Sequence, residues 1–137
     1  MEKGEQLDIC DSLLLRAKEF FINESYSFAL LESVIALEIT MSNFIRFKTE
    51  KIGIKDGTKV DEFIVDVSFK DRIDIVLKIL TEGLPPLDED ILSKSKGAIT
   101  LRNKIVHEGL REISEKDAED SILKIEKFIG YIKEITG

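Results

Sequence analysis

Apolar residues recur along the chain at steps of three and four, the spacing of one helical face, and no strand-like alternation bounded by turns persists. A first helix is expected from about Gln6 to Phe21, on the stripe Leu7, Cys10, Leu14, Ala17 and Phe21. Asn23 and Ser25 punctuate its end, and Ser25 suits the cap of a second helix from Tyr26 to about Phe47. That second segment is apolar on several sides. One stripe is Leu30, Val34, Leu37, Met41 and Phe44, and another joins Phe28, Leu31 and Ile35 to Glu38, Ser42 and Ile45. A helix apolar all round belongs at the centre of a bundle. Glu38 interrupts an apolar stripe, and a buried carboxylate is costly unless paired or protonated.

A polar loop from Lys48 to Gly57 separates this helix from a third region, about Val60 to Thr81. The apolar register changes near Ser68. Ser68-Phe69-Lys70-Asp71 resembles a capping box with Asp in place of Glu, so a kink or two shorter helices are expected. Gly83-Leu84-Pro85-Pro86 ends the region. Asp88 opens the next helix, which runs to about His107 and stops at Gly109, a suitable left-handed cap. Gly97 inside it costs about 1 kcal/mol relative to Ala, which close packing would explain. Ser114-Glu115-Lys116-Asp117 starts the last helix, with Ala118, Ile122, Ile125, Ile129 and Ile132 facing the core. The pattern gives an all-α fold in one domain, residues 1–137. Its architecture is an antiparallel up-and-down bundle of four main helices, about five with the break in the third.

Composition narrows the chemistry. The 137 residues carry 20 Lys+Arg and 27 Asp+Glu, a net charge of -7, with one His and one Cys. One cysteine forms no internal disulfide, and one His with one Cys falls short of a zinc cluster; no metal or cofactor is expected. The acidic balance argues against a broad positive field for nucleic acid. No apolar run reads as a membrane span, and Met-Glu-Lys-Gly-Glu lacks a signal peptide's layout, so a cytoplasmic protein without a membrane partner is expected.

Chemistry concentrates in Leu101-Arg102-Asn103-Lys104-Ile105-Val106-His107-Glu108-Gly109. Asn103 and His107, one turn apart, share a helical face, whereas Arg102 and His107 stand roughly 140° apart. Arg102 either curls toward His107 or serves a site completed by a second chain. An imidazole exchanges its proton near neutral pH and suits general acid or base work. Each residue also has a structural explanation. His107 can satisfy the last carbonyls of its helix, Arg102 can pair with Glu38 inside the bundle, and Asn103 can be solvated. Cys10 reads as core, and Lys48, Lys51 and Lys55 as a solvated group that gains interest only if it flanks a cleft.

Arg102, the polar Asn103, and His107 after four intervening residues, followed by Gly109 in the penultimate helix, resemble the Arg-x4-His signature of the HEPN superfamily (higher eukaryotes and prokaryotes nucleotide-binding domains). The ending Val106-His107-Glu108-Gly109 is similar too. The motif covers about nine residues, and the helix pattern most of the chain. The resemblance implies a metal-independent endoribonuclease whose two protomers face their motifs into one cleft. It implies that His107 moves a proton, Arg102 holds the scissile phosphate and Asn103 orients ribose or imidazole. Glu38 is a candidate supporting residue from its place in the apolar stripe alone, as a partner for Arg102, an interface residue or a partly exposed helix edge. The resemblance also implies an RNA substrate, a homodimer, and a toxin or defence role beside a nucleotidyltransferase-like antitoxin. Two other readings stand beside it. One is a catalytically silent domain binding nucleotide, RNA or protein through the same cleft; the other is a plain helical interaction module.

Overall fold

The computed structural model describes residues 8–137, so the expected start of the first helix at Gln6 and the stripe position Leu7 lie outside the described residues. All regular structure among the described residues is helical: α1 (Ile9–Ile22), α2 (Tyr26–Lys51), α3 (Gly57–Asp66), α4 (Phe69–Asp71), a π-helical turn (Arg72–Val76), α5 (Leu77–Leu80), α6 (Glu89–Glu108) and α7 (Glu115–Thr136).

Four long helices, α1, α2, α6 and α7, form the bundle, and the contacts between them fix their directions. Arg16 meets Glu32 and Thr40 donates to Cys10 Sγ, so α1 and α2 are antiparallel. Arg102 meets Glu38 while Ser27 Oγ donates to the Arg111 carbonyl, so α6 runs antiparallel to α2. Lys18 pairs with Glu126 and Lys133 with Asp11, which sets α7 antiparallel to α1.

The core follows the expected stripes in part. Leu30, Val34, Leu37, Met41 and Phe44 of α2 are buried, as are Ala118, Ile122, Ile125, Ile129 and Ile132 of α7. The second stripe of α2 divides. Ile45 is buried, but Phe28 is 60% and Ile35 42% exposed, so this flank leaves apolar surface uncovered. By length and composition α2 is apolar enough to cross a membrane, with a mean hydropathy of 1.5, against the expectation that no such run exists. In this structure 56% of that apolar window is buried, so the bundle itself takes up much of its greasy surface.

Side-chain caps account for most helix starts. Asp56 accepts from the backbone N–H of Thr58 and Lys59, Asp88 from Asp90 and Ile91, and Ser114 from Asp117. Ser68 Oγ accepts from Asp71 N–H at 3.2 Å, which is one of the two bonds of a capping box. Ser25 sits at the start of α2 but makes no side-chain cap bond there. Gly109 closes α6 at φ 72°, in the left-handed region. α2 runs one turn past its expected end, because Lys48 to Lys51 continue the helix.

The break in the third region has two parts. Val67 is extended at ψ 128° and ends α3. Beyond Ser68 the chain widens into the π turn, where Leu77 N–H donates to the Arg72 carbonyl five residues back. That extra residue turns both Arg72 and Ile73 inward, to 6% and 0% exposure. Gly97 departs from expectation. It is solvent-facing, and a Cβ there would meet nothing within 4 Å, so close packing does not explain it.

Candidate functional site

α6 presents the Arg-x4-His stretch along its C-terminal half, beside the middle of α2. Arg102 and Asn103 are half-buried, and His107 is exposed in the last helical turn. Arg102 Nε donates to Asn103 Oδ1 at 2.9 Å. This contact fixes the Asn103 amide and leaves its NH2 group as a donor. Arg102 also reaches across to α2, where its NH1 lies 3.7 Å from Glu38 Oε1.

The other Glu38 oxygen belongs to a residue that sequence reasoning missed. Arg72 NH2 donates to Glu38 Oε2 at 3.2 Å, shorter than the Arg102 approach. Arg72 is held on every side. Its Nε donates to the Val67 carbonyl at 3.1 Å, its NH1 donates to Ser42 Oγ at 3.4 Å, and its guanidinium lies 5.2 Å from the Phe69 ring centre. A buried guanidinium persists only when its donors are satisfied in this way. Glu38 keeps 36% of its side-chain surface in water, so it stands at the lip of the site. Two cations therefore share one carboxylate, and the formal charges of the triad sum to +1.

Glu38 opens onto a surface groove of about 470 Å³ between α2 and α3, with the buried Arg72 beneath it and walls that include Ile35, Ile39, Ser42 and Val65. Ile35 precedes Glu38 by one helical turn. On α6, Val106 follows Arg102 by one turn and is 58% exposed. The charged triad is thus set among exposed apolar side chains.

The structure brings Arg102, Asn103 and Glu38 together and keeps His107 apart. Five residues of helix carry His107 about 7.5 Å along α6 from Arg102 and roughly 140° around it, while the Arg102 side chain turns toward α2. Within one chain the two motif ends do not converge. Lys48, Lys51 and Lys55 do not flank this site. Lys51 lies about 20 Å beyond Glu38 along α2, at 1.5 Å per residue, whereas α6 carries His107 the other way, toward Ser27. The cations nearest His107 in the chain are the exposed Lys104 and Arg111.

Among the described residues no group of three His, Cys, Asp or Glu side chains is placed to hold a metal ion. Cys10 is 2% exposed; burial pushes its thiol above the ordinary range, against the opposing effect of the Thr40 hydrogen bond. It is a core residue, as its sequence context suggests.

The chain matches no protein-family model, no curated protein and no solved structure.

Proposed function

We propose that this chain is a HEPN-like, metal-independent endoribonuclease that works as a homodimer. The observation that supports it most is the accessibility of His107: an imidazole exposed at the end of α6, one turn from an Asn103 oriented by Arg102. RNA supplies its own nucleophile, the 2′-hydroxyl. His107 takes its proton or protonates the departing 5′-oxygen. Arg102 holds the phosphate and stabilises the charge that gathers on it at the pentacoordinate stage. Asn103 donates its free NH2 to the ribose. The product carries a 2′,3′-cyclic phosphate, and DNA is inert because it lacks the nucleophile. The separation of Arg102 and His107 within one chain agrees with a site completed by a second copy. Exposed Ile35 and Val106 supply apolar surface near it for that copy to cover. With a net charge of -7, RNA capture falls to local cations: Arg102, Lys104 and Arg111. The biological reading that goes with this chemistry is a cytoplasmic toxin or defence effector, restrained by a nucleotidyltransferase-like antitoxin.

A catalytically silent binding domain is the second reading. The observation favouring it is that Arg102 is already engaged inside its own chain, by Asn103 and Glu38. An RNA oligonucleotide and its all-2′-deoxy copy, incubated with the protein in EDTA, separate the two. The ribonuclease reading expects cleavage of the first alone, with cyclic-phosphate termini, by a species sedimenting as a dimer. Binding of RNA without any cleavage supports the silent domain.

A further inference from the structure

We infer that Arg72 is a positioning residue for anion binding: by holding Glu38, it lets that carboxylate aim Arg102 at a phosphodiester without cancelling its charge. The inference rests on the ribonuclease reading for its substrate class, and on the triad geometry for everything else.

A lone Glu38–Arg102 pair would be electrically neutral, and a phosphate approaching it would meet an attraction and a repulsion of similar size. The structure avoids this. Glu38 gives its Oε2 to Arg72 at 3.2 Å and leaves Oε1 to Arg102 at the looser 3.7 Å. The Arg102 guanidinium is also steadied by Asn103 at 2.9 Å, so it keeps its direction if the Glu38 contact lengthens. Arg72 itself is unsuited to touching substrate. It is 6% exposed, and its three nitrogens are committed to Val67, Ser42 and Glu38. Its role is therefore to act on Arg102 through Glu38. The π turn serves the same end, because the extra residue points Arg72 inward at the level of Glu38. A bound phosphodiester would supply the counter-charge that the triad lacks.

The test uses a labelled 2′-O-methyl oligoribonucleotide, which carries phosphodiesters but no nucleophile, together with an unmodified RNA for turnover. Arg72→Gln takes the triad to neutral and is expected to weaken probe binding about tenfold. Removing the opposing charge as well, in Arg72→Gln/Glu38→Gln, is expected to restore affinity to within about threefold while kcat stays low, because Arg102 is no longer aimed. Glu38→Gln alone, which keeps the side-chain shape, is expected to bind the probe at least as tightly as wild type and to lose kcat. A purely structural Arg72 predicts no rescue by the second substitution. Wild-type affinity in a folded Arg72→Gln overturns the inference, as does an unchanged kcat in Glu38→Gln if Arg72→Gln fails to fold. Should the wild type bind the probe in an Arg72-dependent manner and cleave no RNA, the ribonuclease reading falls and the Arg72 assignment stands. Should it cleave RNA with Arg72→Gln matching wild type, the reverse holds. Failure to bind and to cleave removes both.

Discussion

Arg72 and Glu38 meet across 34 positions of sequence, with the guanidinium of the π turn donating to the carboxylate of α2 at 3.2 Å. The pair ties the irregular α3–α5 excursion to the central helix. Arg72→Met removes the buried cation and leaves Glu38 without its nearest partner. The expected cost is about 1–3 kcal/mol, below the range for a fully buried pair because Glu38 remains partly hydrated. Chemical denaturation measures it. A variant as stable as wild type would mean that the pair contributes nothing to holding the excursion in place.

Gly97 is a helical glycine facing open solvent. Alanine at this position restricts the unfolded chain and meets no atom in the folded one. Gly97→Ala is therefore expected to raise stability by about 0.5–1 kcal/mol, seen as a higher thermal midpoint. A loss of stability would show that this surface is covered in the assembled protein.

Ser95 Oγ is the one buried side-chain polar atom without a hydrogen-bond partner among the described residues. Removing an unsatisfied buried hydroxyl while keeping the Cβ is favourable, so Ser95→Ala is expected to gain roughly 1 kcal/mol in urea titration. A destabilised Ser95→Ala would reveal a partner for that hydroxyl in solution.

The Lys124–Asp90 contact at 2.7 Å joins the start of α6 to α7. The Lys124 hydrogen bond holds the Asp90 carboxyl below its ordinary 3.8, against a smaller desolvation effect, and the Asp90 hydrogen bond holds Lys124 above its ordinary 10.5. The depressed carboxyl contributes stability above its unfolded pKa, lost as pH falls through its lower folded value. The raised ammonium contributes below its unfolded pKa, lost as pH rises through its higher folded value. Comparing Lys124→Met with wild type across pH is expected to show a stability deficit between about pH 4 and 10 that shrinks at both ends. A deficit independent of pH would assign the effect to packing of the lysine stem.

The four bundle helices, the caps at Asp88, Gly109 and Ser114 and the break at Ser68 were legible because each rests on local spacing. Ser25, by contrast, reads as a cap and makes no cap bond, and the Asp8 cap of α1 went unread. The half-buried setting of Glu38 was legible too, since a charge among Ile35, Leu31 and Ile45 advertises a partner. The nearest partner was not, although the same signal was present. Arg72 stands among Phe69, Ile73 and Val76 much as Glu38 stands in its own stripe, and matching two misplaced charges of opposite sign would have paired them. The π turn hid this, because its five-residue bond shifts the apolar register on which such matching depends. The exposure of Phe28 and Ile35 was not legible for another reason. Periodicity marks a face as apolar without saying whether the same chain or a second one covers it.

The central claim stands on His107, and cleavage of RNA in EDTA by wild type and His107→Ala at matched thermal midpoints tests it most directly. Loss of a general acid or base is expected to lower the rate by about 10²–10⁴-fold, with the midpoint nearly unchanged because the imidazole is exposed. Equal cleavage by the two proteins, or a His107→Ala variant that unfolds, would contradict the account.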